Sequence, residues 1–317
     1  MKIRTFIATA SLVASGSLVA FSGSAQAALY TTCVGDGGAV TVSNDLVVPA
    51  GKSCTLTGTR VKGTVTVEAG ADLVAAGATF NSAVTVEENA YLDLTDTTVK
   101  GALTTESAFG THLEETTVKS VDATEGFLYT VDSTVSGNIS SRTGELYVSG
   151  STLGGSVTGE NNQYTDVYDS TVKGALTVNG NILGGVFCES EVYGAATYAT
   201  NADVLQIGGE GLLGNCAGAS YFGGNLAFTD NTAEAVLDNA IVRGSLTATG
   251  NNPVLVVGDS ARIRGKVTGE TADAGASSAR SAKRAAPQDR GADLAEKAAE
   301  RAAAARADAH EAGRSSL

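Results

Sequence analysis

The feature that most constrains this chain is an internal repeat of about nineteen residues, in which an apolar anchor, a variable residue and usually Gly precede a short alternating run. The cleanest copies are Arg60-Val61-Lys62-Gly63, Thr98-Val99-Lys100-Gly101, Thr171-Val172-Lys173-Gly174 and Ile241-Val242-Arg243-Gly244. Anchors fall at Val61, Phe80, Val99, Val118, Val135, Leu153, Val172, Val192, Phe222, Val242 and Ile263, with steps of 17 to 21 except for one step of 30. A period-two run follows each anchor, as in Val65-Thr66-Val67 or Leu176-Thr177-Val178, and a second precedes the next, as in Leu92-Asp93-Leu94 or Leu146-Tyr147-Val148. Alternation of this kind is a strand signal. Asp or Gly followed by Ser or Thr marks the corners between runs.

Three short strands per repeat, with hairpin signals such as Asn-Gly at two-residue loops almost absent, do not make a series of hairpins. Stacked coils solve the burial problem, because each pairs in parallel with the next about 4.8 Å away. The pattern therefore predicts an all-β, single-stranded parallel β-helix of about 11 coils, roughly 50 Å long, with a Val, Leu and Phe interior. Coil lengths that wander fit a left-handed helix of rigid hexapeptides poorly, so a right-handed solenoid is expected.

Targeting and composition bound the setting. Lys2 and Arg4 precede an apolar run from about Thr5 to Phe21, and Ala25-Gln26-Ala27 is a small-x-small cleavage pattern, so residues 1–27 read as a secretory signal peptide. The protein is then expected to be secreted and extracellular, with no membrane span after processing. Beyond Ala27 the chain has 34 acidic and 19 basic residues, which disfavours nucleic acid or an anionic membrane as a general partner. Four cysteines in an exported chain suggest two disulfides. Three pairings exist, and proximity favours Cys33 with Cys54 and Cys188 with Cys216. With no Cys-x-x-Cys and two histidines, a metal site is the weaker reading, and no cofactor is implied.

Residues 28–270 form the predicted solenoid domain, and 271–317 differ abruptly, with 18 alanines in 47 residues. Leu294 is the one large apolar residue there before Leu317, so the segment reads as a flexible or partly helical tail, helical over about 293–312, with no face to dock on a core.

The repeats resemble a parallel β-helix of the pectate-lyase-like architecture. Together with the start Val47-Val48-Pro49-Ala50-Gly51-Lys52-Ser53-Cys54-Thr55-Leu56-Thr57-Gly58, they are similar to bacterial secreted β-helix proteins of no assigned function over about residues 33–270. Bactofilins share the idea of short stacked coils but resemble this chain less, being cytoplasmic filament proteins. Such a resemblance implies a fold and hardly any activity. The Asn-Thr-Asp, Asp-Asp and His-Gly signatures of pectin-hydrolysing β-helices are not evident, and Arg262-Ile263-Arg264 echoes one element of those enzymes without its partners.

Because alternate strand residues point outward, aligning coils on their anchors gives a surface map. One row reads Asp93, His112, Tyr129, Tyr147 and Asp166, with Tyr91, Glu114, Phe127, Glu145, Tyr164 and Tyr168 as outward neighbours. In later coils the row is expected to continue through Val186, Cys216, Val236 and Val257. Rings pack on the apolar faces of sugars and carboxylates accept hydroxyl hydrogens, so these eleven residues are the candidate ligand face, with an extracellular polysaccharide or cell-envelope component as partner. The competing reading is a plain solvated sheet face, since Tyr and Phe favour strands regardless of function.

Other patterns carry ordinary explanations. The basic residues Lys62, Lys100, Lys119, Lys173, Arg243 and Arg264 sit in a solenoid with 27 acidic against 11 basic residues and read as a charge-balanced edge. Gly209-x-Gly211-x-x-Gly214 lies in the 30-residue step and lacks the βαβ context of a nucleotide fingerprint, so it reads as a loop held by Cys188 and Cys216. The expected function is a non-catalytic structural or glycan-binding protein. The alternatives are a polysaccharide lyase or hydrolase acting through carboxylates of the same face, and a scaffold that self-associates end to end through unpaired coil edges.

Overall fold

The computed structural model describes residues 30–211, 213–273 and 289–317, so the segment read as a signal peptide lies outside the described residues. All eleven anchors occupy one row of register partners, from Val61↔Phe80 and Phe80↔Val99 through Val172↔Val192 and Val192↔Phe222 to Val242↔Ile263. Each coil contributes an anchor strand and the following run to a 23-stranded sheet, and the second run to a 13-stranded sheet. The chain is an all-β parallel solenoid of 13 turns. Two more turns exist than the repeat predicts. The first, Tyr30–Thr32, Gly35–Gly37 and Thr41–Val42, carries no glycine after its anchor Val42, and the last extends past residue 270 to the strand Thr271–Asp273.

Inside, the anchors and the inward residues of both runs form one continuous core from Cys33 to Leu255, with Ile263 partly buried against it. The three corners of a coil are built differently. After most anchors the close approach of the preceding coil favours glycine: a Cβ on Gly174 would lie 2.5 Å from the backbone nitrogen of Ser156. The other two corners need a left-handed residue, supplied at one by Gly58, Gly77, Asp96, Glu115, Asp132, Gly150 and Asp169. These Asp and Glu residues take the turn conformation at the corners between runs.

Two polar ladders close the corners. Behind the first, Thr97, Thr116, Ser133, Ser151, Ser170 and Ser190 are buried, and each hydroxyl accepts the N–H of its counterpart one coil earlier, as in Thr116 N to Ser133 Oγ at 3.0 Å and Ser151 N to Ser170 Oγ at 3.0 Å. The same hydroxyls donate to a carbonyl two residues back, for example Ser133 to Val131 O at 2.7 Å. At the second, Asn162, Asn181, Asn201, Asn231 and Asn251 form an amide ladder, with Asn181 N to Asn201 Oδ1 at 2.9 Å and Asn201 N to Asn231 Oδ1 at 2.9 Å. Buried corner N–H groups are thereby satisfied without water.

The 30-residue step is an excursion from one corner. Gly209–Gly211 and Gly214–Cys216 form an antiparallel hairpin, tied to the body by Cys188–Cys216, while Cys33–Cys54 staples the first coils. Asn201→Ala removes the acceptor for Asn181 N and the donor to Val178 O at 3.0 Å. It should destabilise the solenoid by about 2–4 kcal/mol in denaturant unfolding, with unchanged far-ultraviolet dichroism.

Candidate functional site

The 13-stranded sheet carries the candidate face, and its register brings the predicted row together. Asp93↔His112, His112↔Tyr129, Tyr129↔Tyr147 and Tyr147↔Asp166 are direct partners. Flanking them run Tyr91, Gly110, Phe127, Glu145 and Tyr164 on one side and Glu114, Val131, Ser149 and Tyr168 on the other. Beyond Asp166 the row continues through Val186, Gln206, Val236 and Val256. Cys216 and Val257 are therefore misplaced by the sequence map. Anchor counting skips the hairpin, which takes Cys216 off the sheet, and the last step of 21 shifts the register by one, turning Val257 toward the core.

Residues 290–317 of the tail do dock, contrary to the sequence expectation. Helix α1, Arg290–Ala312, lies along this face, N-capped by Asp289, whose carboxylate accepts Ala292 N at 3.0 Å, and ended by Gly313. Its 23 residues cover about 35 Å. The seven coil steps from Asp166 down to Asp36 cover about 34 Å. The buried stripe is Leu294, Ala298, Ala302, Ala305 and Ala309. Four alanines let the helix approach the sheet closely, and the sheet supplies the missing volume through Val74, Tyr91, Phe127 and Tyr164. Apolar bulk therefore comes from the receiving surface, which is why the tail's own composition conceals the contact.

Charge fixes the helix along its length. Arg290 Nη1 meets Asp166 Oδ1 at 3.1 Å with both groups buried, and Arg290 Nη2 donates to Leu183 O at 2.8 Å. Lys297 Nζ lies 3.1 Å from Glu145 Oε1, Arg301 Nε 2.9 Å from Asp72 Oδ1, and His310 Nδ1 3.3 Å from Asp36 Oδ2. The guanidinium of Arg290 also covers the Tyr164 ring at 4.5 Å, and that of Arg301 covers Phe109 at 5.0 Å. Phe109 packs edge-on between Tyr91 and Phe127. Sequence reading missed it, since it sits one place before the strand, beside a Gly110 that leaves the row vacant for it and for the Phe127 ring.

These contacts occupy three of the four predicted carboxylates, while Glu114 stays exposed. Asp93 Oδ2 is 3.0 Å from the Tyr91 hydroxyl, which also lies 3.0 Å from Ala298 O. Glu145 accepts from Tyr164 at 3.0 Å as well as from Lys297. Asp166 further accepts Val186 N at 3.0 Å. Burial pushes the Asp166 carboxyl up to about 6, against the pull of Arg290, and burial likewise raises Asp72 against Arg301. Asp36 is held below the ordinary range by the Thr55 hydroxyl, donated at 2.6 Å, with help from His310.

Beside the helix, a ring ladder stays half-exposed. His112 stacks on Tyr129 at 5.0 Å, Tyr129 meets Tyr147 edge-on at 5.5 Å, and Tyr147 stacks on Tyr168 at 5.2 Å. Within the ladder ring faces are largely turned to one another. At its end the sheet partner of Tyr168 is Cys188, and here a cleft of about 480 Å³ opens, lined by Tyr147, Tyr168, Asp169, Cys188, Glu189, Leu213, Gly214, Asn215 and the start of α1. Asp169, Glu189 and Asp289 give it a negative rim, and the one cation among its described lining residues, Arg290, is already paired. The basic edge residues, Lys62 to Arg264, are exposed, and the hairpin within the 30-residue step that raised the nucleotide motif supplies part of the cleft wall. Among the described residues no group of three metal-ligating side chains occurs and no helix is long and apolar enough to cross a membrane. Comparison with protein-family models, curated proteins and solved structures finds no match to this chain.

A carboxyl raised on folding binds its proton more tightly in the folded state, so the Asp166 contribution favours the fold at low pH and is lost as pH rises from 3.8 through about 6. Carbon-detected titration should place Asp166 near that upper value and move it higher still in Arg290→Met, while Asp166→Asn should flatten the stability profile across that window.

Proposed function

We propose that this chain is an exported, non-catalytic β-helix that binds a neutral polysaccharide through the cleft at the end of its ring ladder. The observation that carries this reading is the Tyr147–Tyr168 pair opening onto a cleft of about 480 Å³, within the size range of small-ligand sites. Stacking inside the ladder leaves little ring face for a sugar along most of it, so the contact expected over the whole face is narrowed to this end. A pyranose ring fits the apolar wall of Tyr147, Tyr168 and Leu213, and its hydroxyls donate to Asp169 and Glu189. The same carboxylates repel uronates, so an acidic polymer is disfavoured.

A non-catalytic role is supported by the engagement of three carboxylates of the predicted face. Hydrolysis needs two free carboxyl groups flanking one bond. Asp93, Glu145 and Asp166 are instead bonded to Tyr91, to Tyr164 and Lys297, and to Arg290. Two disulfides in one chain favour an oxidising compartment, in keeping with the signal-like start and an envelope or extracellular setting.

Incubation of the purified protein with neutral and acidic polysaccharides should give retention on a neutral polymer without reducing or unsaturated ends. Tyr168→Ala should weaken that retention about tenfold, roughly the 1.4 kcal/mol of one lost stacking contact. Product release, or retention that Tyr168→Ala leaves unchanged, would overturn the reading.

A further inference from the structure

A parallel solenoid has two edges that its own coils leave unpaired, and here they are treated differently. At the first coil, the strand Gly35–Gly37 pairs inward with Gly35↔Cys54, Asp36↔Thr55 and Gly37↔Leu56. Its outer edge is taken by the last residues of the chain. Asp36 N donates to Gly313 O at 2.8 Å, Ser315 N donates to Asp36 O at 2.9 Å, and Asp36 and Arg314 form a parallel bridge. Leu317 packs on the main core, filling the room left by the missing side chain of Gly37 beside Leu56. Residues 313–317 thus stand where a preceding coil would stand, running in the same direction.

Among the described residues the opposite edge has no such cover. Thr271–Asp273 pairs with Leu255–Val257, and no strand follows it on that edge among the described residues. Val267, in the last turn of the other sheet, is 45% exposed although its register partner is the buried core residue Leu246. Val257 and Ile263 at this end are only partly buried.

We propose that the segment Gly313–Leu317 is a built-in terminator of end-to-end association, and that the partner the first coil accepts in its place is the last coil of a second copy of this chain. Repeating the coil-to-coil step brings Thr271–Asp273 of one molecule onto Gly35–Gly37 of the next, parallel, as the tail now lies. Unpaired strand edges template such addition. A head-to-tail contact does not close on itself, so uncapped molecules grow into filaments, whereas a molecule with its tail in place has the Gly35–Gly37 edge already occupied. The device is independent of any ligand at the ring ladder.

Sedimentation of a variant lacking Gly313–Leu317 tests this. The expected result is a native far-ultraviolet spectrum with a weight-average mass that at least doubles as concentration rises, while the full chain stays monomeric. Val267→Lys in the same background should restore the monomer by placing a charge in the apolar end. The full chain, added at one part in ten, should shorten the assemblies by closing their growing ends. A folded, monomeric tailless variant, or aggregates indifferent to Val267→Lys and to the full chain, would overturn the proposal. Should the truncation unfold, Ser315→Pro in the full chain removes the N–H donated to Asp36 and is read in the same way. Unfolding of both would equally refute it, because the segment would then be part of the fold and not a removable cap.

Discussion

Parallel backbone pairing between successive coils is the constraint on which everything else in this molecule depends. It holds equivalent residues of neighbouring repeats about 4.8 Å apart, so a choice made at one position becomes a row along the whole rod. Apolar rows fill the interior, and hydroxyl and amide rows close the corners, each side chain satisfying the backbone of the adjacent coil. Such ladders are cooperative by construction, since every member is both donor and acceptor for its neighbours. The hairpin excursion leaves the stacking undisturbed, with Val192 pairing directly with Phe222 across the insertion.

The same row logic makes the outer face of the 13-stranded sheet a receptor for α1. An acidic solenoid presents carboxylates at Asp36, Asp72, Glu145 and Asp166, and the helix presents His310, Arg301, Lys297 and Arg290 to them in reverse order. Apolar contact is shared unevenly, aromatic on the sheet and alanine on the helix. Burying the Arg290–Asp166 pair costs desolvation, so its value lies in fixing the register of the helix more than in raw stability. The described part of the tail is therefore a structural element that covers Tyr91, Phe127 and Tyr164, leaves the Tyr147–Tyr168 end accessible, and places residues 313–317 over the first coil.

Much of this was legible from residue spacing. Every anchor from Val61 to Ile263 takes its expected place, as do both disulfides and the Asp93-to-Asp166 row. Rows drifted where spacing stopped being local, at the hairpin around Cys216 and in the final 21-residue step. The asparagine ladder was visible as Asn162, Asn181, Asn201, Asn231 and Asn251, but single-residue spacing does not announce a bond between coils. Docking of α1 was hidden for a physical reason. Its stability resides in complementarity between two segments more than a hundred residues apart, and neither composition alone reveals a fit of length, charge order and volume.

That fit is the central claim, and amide hydrogen exchange along α1 tests it most directly. An Ala-rich helix without tertiary partners opens readily in water. Docked as described, the amides from Ala298 to Ala309 should exchange at least a hundredfold more slowly than the unfolded-chain rate, with protection reduced in Asp72→Ala and Glu145→Ala. Exchange at the rate of a free peptide throughout α1 would contradict the account.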